Sequence, residues 1–298
     1  MKNFLIIPIL FIFLVSCSNS EDFDIPKISK LEKLEEHSNQ FIKGIYSYDN
    51  GIHIAIGFGI ANSIMVEGEG GNIIIDTTDD VSQAKEVLSE FQKINQNPIK
   101  AIIYTHNHGD HVFGASVFHN AQEEKPLVIA HSTTAEKVEK ILGIINPIIT
   151  LRSGKMFGTN LDDNELINVG LGPYLSAGRS SPGYIAPTMT FEKELKLEIA
   201  GHKVELYHAP GETDDQLFVW FPELSALMPG DNFYTTFPNL YTIRGTSHRD
   251  VIGWVNSIDK MRSLNPQYLF PSHTMPVVGE EISNALIIDR KSVVWERV

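Results

Sequence analysis

His106-Asn107-His108-Gly109-Asp110-His111 places four side chains able to bind a cation within six residues. Imidazole nitrogens and a carboxylate crowded together in this way cannot all turn inward for packing, because each buried polar group needs a partner. Cations satisfy them. Nitrogen and carboxylate oxygen together suit zinc, and manganese and iron are compatible by ligand type. Gly109 permits the tight turn that sends neighbouring side chains toward two separate ions. A lone histidine is more often a surface or satisfied core residue, but a cluster of this density reads as a metal site.

One such group cannot saturate two metals, so further ligands should follow other strands. Three candidates do. Glu212 lies in Ala-Pro-Gly-Glu-Thr after the run KVELYH, Asp231 in Pro-Gly-Asp-Asn after SALM, and His273 in Pro-Ser-His after YLF. Each follows an apolar strand through Gly, Pro or Ser, which puts it on the same rim as the first cluster. Singly, acidic residues in glycine-containing loops are usually solvated, but three at strand ends are not explained that way. Asp76, at the end of NIIID, reads as an acceptor that orients a ligating histidine.

The elements that must carry these residues are legible from periodicity. From His53 the chain becomes short apolar runs broken by glycine (HIAIGFG, NSIMVE, NIIID), the last two joined across Gly70-Gly71 as a hairpin. After Asp76 the period changes: Val81, Ala84, Val87, Leu88, Phe91 and Ile94 mark an amphipathic helix, with Asp79 or Asp80 as N-cap. AIIYT (101–105) runs into the histidine cluster, LVIA (127–130) follows, and a helix is expected from about Ser132 to Leu142. Residues 143 to 190 show neither period, and so long a connection usually covers a site. LKLEI and KVELYH form a second hairpin through Ala200-Gly201, LFVWF and SALM add strands, and Val251 to Met261 mark a further helix. The fold class read from this order is α/β, two sheet halves with helices outside them.

Length and composition fit a soluble enzyme with a full core: 298 residues, 42% hydrophobic. With 24 basic against 37 acidic residues and no basic run interleaved with aromatics, a nucleic-acid partner is disfavoured. The first residues, MKNFLIIPILFIFLVSC, carry one Lys and an apolar stretch too short for a comfortable membrane span, which reads as a targeting segment. Cys17 is the single cysteine, preceded by Leu-Val-Ser as in a bacterial lipobox, with a plain secretory signal as the alternative. Lipidation there would anchor the chain at a membrane without spanning it. No internal disulfide is available, so core and metal must stabilise the fold.

Thr-His-Asn-His-Gly-Asp-His (105–111) and the order of strand-end ligands resemble the metallo-β-lactamase superfamily, whose fold is an αββα sandwich of two mixed sheets flanked by helices. That superfamily usually has Pro-Gly-His-Thr where this chain has Pro-Gly-Glu-Thr, a difference characteristic of its alkylsulfatase branch. GFGIANSIMVEGEGGNIIID, NVGLGP, FPNLYTIRGTSHRD and LFPSHTMPVVG are similar to that branch as well, so the likeness runs from about Ile45 to Glu281. The resemblance implies a dinuclear hydrolase of alkyl sulfate esters with two zinc ions. His106, His108 and Glu212 would hold one ion, Asp110, His111 and His273 the other, and Asp231 would bridge. The branch has Glu where Asp231 stands. Its chains also continue into a helical dimerisation region and a sterol-carrier-like domain that this sequence lacks, which leaves a family-type homodimer open.

The resemblance also assigns a sulfate pocket to Asn239, Thr242 and Arg244, where a planar guanidinium offers paired donors to a tetrahedral oxyanion. His248 is either an acid for the departing group or a surface residue. The expected organisation is a signal peptide (1–16), a lipidated tether (17–44) with a short helix near Ile28 to Leu34, a catalytic domain (45–289) and a tail of uncertain origin (290–298). The expected location is the bacterial cell envelope, facing periplasm or cell surface. Two rivals stand beside this reading: a hydrolase of the same superfamily acting on a lactam, lactone, thioester or phosphodiester, and a non-catalytic metal-binding envelope lipoprotein.

Overall fold

The computed structural model describes residues 30–162, 165–175 and 182–295. The expected signal peptide, Cys17 and residues 296–298 lie outside the described residues. After α1 (Lys30–His37) come β1 (Gly44–Ser47), β2 (Ile52–Ile56), β3 (Ser63–Gly68), β4 (Gly71–Ile75), α2 (Val81–Ile94) and β5 (Ile99–Ile103). They are followed by α3 (Gly109–Val112), α4 (Ala115–Asn120), β6 (Leu127–His131), α5 (Thr134–Leu142), α6 (Asn146–Met156) and β7 (Met189–Phe191). Strands β1 to β7 form one sheet in sequence order, antiparallel through β4 and parallel from β4 onward.

The second sheet contains β8 (Glu194–Ile199), β9 (His202–His208), β10 (Leu217–Phe221), β11 (Ala226–Met228), β12 (Tyr268–Leu269) and β13 (Val277–Val278), in the order β13-β12-β11-β10-β9-β8. Helix α7 (Val251–Ser263) connects β11 to β12, a parallel pair, and α8 (Glu281–Trp295) closes the described chain. The β8–β9 turn takes positive φ at both Ala200 (51°) and Gly201 (78°), as a two-residue hairpin with the twist of its strands requires.

Alternation of side chains builds three apolar layers. Ile52, Ile54, Ile56, Ile73, Ile75 and Ile103 point between the sheets, where they meet Val204, Leu206, Leu217, Val219 and Phe221. The intervening Ala55, Ile74, Ile102 and Val128 face outward onto Ala84, Val87, Phe91 and Phe118 of the helices. Phe218, Trp220 and Leu227 do the same on the second sheet against Trp254, Ile258, Leu286 and Val293. The αββα sandwich follows from burial on both faces of each sheet, which is also why β2 and β4 are buried along their whole length.

Asp80, rather than Asp79, caps α2, its carboxylate accepting from the backbone N–H of Ser82 at 2.6 Å and of Gln83 at 2.9 Å. Three expectations change. Residues 143 to 190 contain α6, invisible to periodicity because it has no continuous buried stripe: Ile148 and Leu151 are exposed, and Pro147 opens the helix. Residues 30 to 41 are docked, not a free tether, since Phe41 is buried and the Asn168 side chain donates to the Leu34 carbonyl at 2.8 Å. The boundary expected at 289/290 falls inside α8, whose Val293 is buried in the outer layer of the second sheet. On the same helix burial pushes the Asp289 carboxyl up to about 8.

Candidate metal centre

The candidate ligands converge because each follows a strand end. The histidine cluster follows β5, Glu212 lies between β9 and β10, Asp231 turns out of β11 and His273 follows β12. Gly230 has φ 60°, and a Cβ there would lie 2.0 Å from Gln216 Nε2 and 2.9 Å from the Thr105 Cβ, so only glycine fits immediately before Asp231.

Three imidazoles have one nitrogen engaged, which fixes where the other points. His106 Nδ1 meets Thr105 Oγ1 at 3.0 Å, His111 Nδ1 meets Asp76 Oδ2 at 2.7 Å, and His273 Nδ1 meets the Ile60 carbonyl at 2.8 Å. Their Nε2 atoms gather on Asp231 Oδ2, at 3.6 Å for His106, 3.5 Å for His111 and 3.2 Å for His273. Among the described residues, His106 Nε2, His111 Nε2 and Asp231 Oδ1 are buried without a hydrogen-bond partner. Two groups able to hold an ion result: His106, His108 and Asp231, and Asp110, His111 and His273. The orphaned nitrogens and the mixed imidazole–carboxylate set fit divalent metal ions.

Asp76 stands behind the site as the orienting acceptor. It takes the Thr105 N–H at 2.9 Å and the hydroxyls of Thr105 and Ser272, both at 2.8 Å. Its backbone is left-handed, φ 56°, and that strain is held by Asp76 N–H donating to the Ile103 carbonyl and Ser63 Oγ donating to the Asp76 carbonyl.

Glu212 stands at the edge of the first group, next to His108. Its Oε1 is 3.8 Å from His108 Nδ1 but 2.8 Å from Arg249 Nη2, an ion pair between two buried side chains. Arg249 was not among the sequence candidates. A basic residue beside His248 and Asp250 reads as solvated, yet Arg249 is 3% exposed; the signal was the crowd of carboxylates that needed a counter-charge. Asp215 was missed likewise: fully buried, it accepts from Asn107 Nδ2 at 2.5 Å and the Thr134 hydroxyl at 2.7 Å, and so fastens the cluster between His106 and His108.

Arg244 is half-buried, its guanidinium 5.8 Å from the centre of the Phe157 ring and its Nη1 3.8 Å from the Met156 sulfur; burial lowers its pKa, against the opposing charges of Glu212, Asp110 and Asp231. Thr242 is buried and its hydroxyl is paired with that of Thr246. Asn239 is fixed through its backbone, its N–H donating to Tyr234 Oη at 2.7 Å. His248 is exposed. Residues 143 to 190 do reach the site, for the Leu171 carbonyl lies 3.2 Å from His273 Nδ1.

The field of the centre favours cations. Burial alone would lower His111 and His273, but Asp231 and Asp110 outweigh it, lifting His273 to about 9 and His111 well above its ordinary range. Burial, together with His111, holds His106 down to about 4. Burial raises the Glu212 carboxyl despite the opposing Arg249. Positive charge is therefore drawn to the His111 and His273 end, where a divalent ion can replace protons.

Residues 56–273 match the Metallo-beta-lactamase superfamily. A linear primary-alkylsulfatase from a Pseudomonas species is 38% identical over 238 residues, covering 78% of this chain and 45% of that protein. The alkyl/aryl-sulfatase BDS1 of Saccharomyces cerevisiae is 26% identical over 260 residues, covering 83% of this chain and 40% of that protein. The solved structure of the stereoselective inverting sec-alkylsulfatase Pisa1 from Pseudomonas sp. superposes with a TM-score of 0.77 at 23% identity, over 85% of this chain and 42% of that one, a likeness of fold. The chain thus spans less than half the length of the curated relatives it matches. It belongs to the metallo-beta-lactamase superfamily, and its curated relatives named here are alkylsulfatases.

Proposed function

We propose that the protein is a dinuclear metal hydrolase that cleaves alkyl sulfate esters to an alcohol and inorganic sulfate. The observation that carries this is a half-buried guanidinium, Arg244, within electrostatic reach of Asp110 and Asp231 of the two candidate ligand groups and of Glu212 beside them. His106, His108 and Glu212 would hold one zinc ion, Asp110, His111 and His273 the other, with Asp231 between them. When bound, the ions supply an acidified water and polarise the ester.

The chain's own residues do the rest. Asp76 fixes the His111 ring so that Nε2 faces inward, and Asp215 fixes Asn107 so that His106 and His108 keep their spacing. Arg244 binds the sulfate oxygens through its planar donors and stabilises negative charge as the ester breaks. Asn239 and Thr242 set the course of the segment that carries it, and His248, exposed near that segment, would be the acid for the departing group.

The test is a panel of a medium-chain alkyl sulfate, p-nitrophenyl sulfate, a phosphodiester and a cephalosporin, with inorganic sulfate release measured. Turnover of the alkyl sulfate alone, or by far the fastest, is expected; faster cleavage of the cephalosporin or phosphodiester would move the chain to another activity of the superfamily. Arg244→Ala should lower alkyl sulfate turnover or affinity about ten- to a hundredfold, the worth of a charge-assisted hydrogen bond, with metal content unchanged. Loss of metal in that variant would show Arg244 to be structural.

The lipid anchor belongs to the same proposal: Cys17 would be acylated and hold the domain at a bacterial envelope membrane, supported by the leader pattern of residues 1–16. Cys17→Ser is expected to move the protein to the soluble fraction with its fold intact, and unchanged membrane fractionation would refute the anchor.

A further inference from the structure

Glu212 and Asn239 are joined twice. On one side Tyr234 Oη donates to Glu212 Oε2 at 3.3 Å and accepts the Asn239 N–H at 2.7 Å. On the other, Arg249 Nη2 lies 2.8 Å from Glu212 Oε1 while Nη1 donates to the Asn239 carbonyl. Both backbone groups of Asn239 are thus held by the two side chains that hold the two oxygens of Glu212. All three side chains are buried: Tyr234 is 2% exposed, Arg249 3% and Glu212 4%.

The ring has a second consequence in the chain. Asn239 and Arg249 are the two ends of the segment that carries Thr242 and Arg244, so the Arg249–Asn239 bond is the neck of a closed loop. Beyond Arg249 the chain is fixed, because the Asp250 side chain caps α7 by accepting the Ile252 N–H at 3.1 Å. The loop is therefore anchored at its neck to Glu212 and to a helix start. Only a guanidinium can make this neck: its planar fork reaches a carboxylate and a carbonyl at once, whereas an ammonium on a flexible stem is a point charge.

We propose that Arg249 is a positioning residue whose two-pronged grip on Glu212 and the Asn239 carbonyl locks the Arg244 segment to the metal centre, so that anion binding and the metal site keep one spacing. This rests in part on the sulfatase reading, since Arg244 is taken there to bind the sulfate group. A simpler role, neutralisation of the buried Glu212 charge, predicts that any cation will serve.

Arg249→Lys separates the two, because it keeps the charge and loses the fork. In the metal-loaded full chain we expect Arg249→Lys to retain two ions by elemental analysis. Its affinity for inorganic sulfate, read by calorimetric titration, should weaken roughly tenfold or more, with a matching rise in KM for a medium-chain alkyl sulfate. Amide hydrogen exchange should quicken across residues 239–249 and stay unchanged in α2 and β2. Tyr234→Phe opens the other leg and should shift exchange in the same segment in the same direction by less, which keeps the test alive if Arg249→Lys folds poorly. Unchanged sulfate affinity and unchanged exchange in 239–249 for Arg249→Lys would overturn the proposal in favour of simple neutralisation. If wild type neither binds sulfate nor cleaves alkyl sulfates, the sulfatase reading fails alone, and the exchange measurement still decides the role of Arg249.

Discussion

Asp231→Asn is expected to cost roughly a thousandfold or more in hydrolysis and to leave fewer than two metal ions tightly bound. The carboxylate is the point on which the Nε2 atoms of His106, His111 and His273 converge, at 3.6, 3.5 and 3.2 Å. Asparagine has the same shape, so the turn at Gly230–Asn232 survives, but its neutral amide is a weak ligand and can turn an N–H toward an imidazole. Lewis-acid stabilisation is worth several kcal/mol, and each 1.4 kcal/mol or so is tenfold in rate, which gives the size of the loss. Elemental analysis and sulfate release on a variant with native circular dichroism check it. Two tight ions together with near-native turnover would show that Asp231 does not lie between the metals.

Glu212→Ala should be almost as damaging, by two separate routes. One is at the metal, where the ion expected beside His106 and His108 loses a ligand. The other is in the fold: Arg249 would be left as an unpaired buried charge, and breaking such a pair by removing one partner costs about 3–5 kcal/mol. Calorimetric melting and metal content measured on one preparation separate the routes. Glu212→His, which restores the histidine usual in the superfamily, should keep two ions while alkyl sulfate turnover falls, because Arg249 loses its counter-charge. Glu212→Ala with an unchanged melting temperature and two tight ions would contradict both routes.

The sequence made much of this architecture legible because burial is periodic. Alternate residues of β2 to β5 fill two different layers, so strands show as isoleucine runs, and the candidate ligands stand out because polar residues at the ends of such runs have few structural uses. Glu212 and Asp231 were found by that rule. Arg249, Asp215 and Tyr234 were not, because their partners lie far along the chain: Arg249 and Glu212 are ion-paired across the whole of β10 and β11. Nothing local distinguishes Asp215, buried on Asn107 and Thr134, from its exposed neighbour Asp214, which pairs with Lys137. Helix α6 was hidden because its apolar residues Ile148 and Leu151 remain exposed, so the period that betrays an amphipathic helix never forms. The docking of residues 30 to 41 depends on Asn168, in a segment that has no period of its own.

Hydrolysis of alkyl sulfates is expected to depend on two metal ions held by this cluster. Chelator-treated protein titrated stepwise with zinc, with sulfate release from a medium-chain alkyl sulfate followed at each step, tests it most directly. Activity is expected to be absent at the start and to reach its plateau only as the second equivalent per chain is bound. Full activity in the chelated protein, or a plateau at one equivalent, would contradict the account.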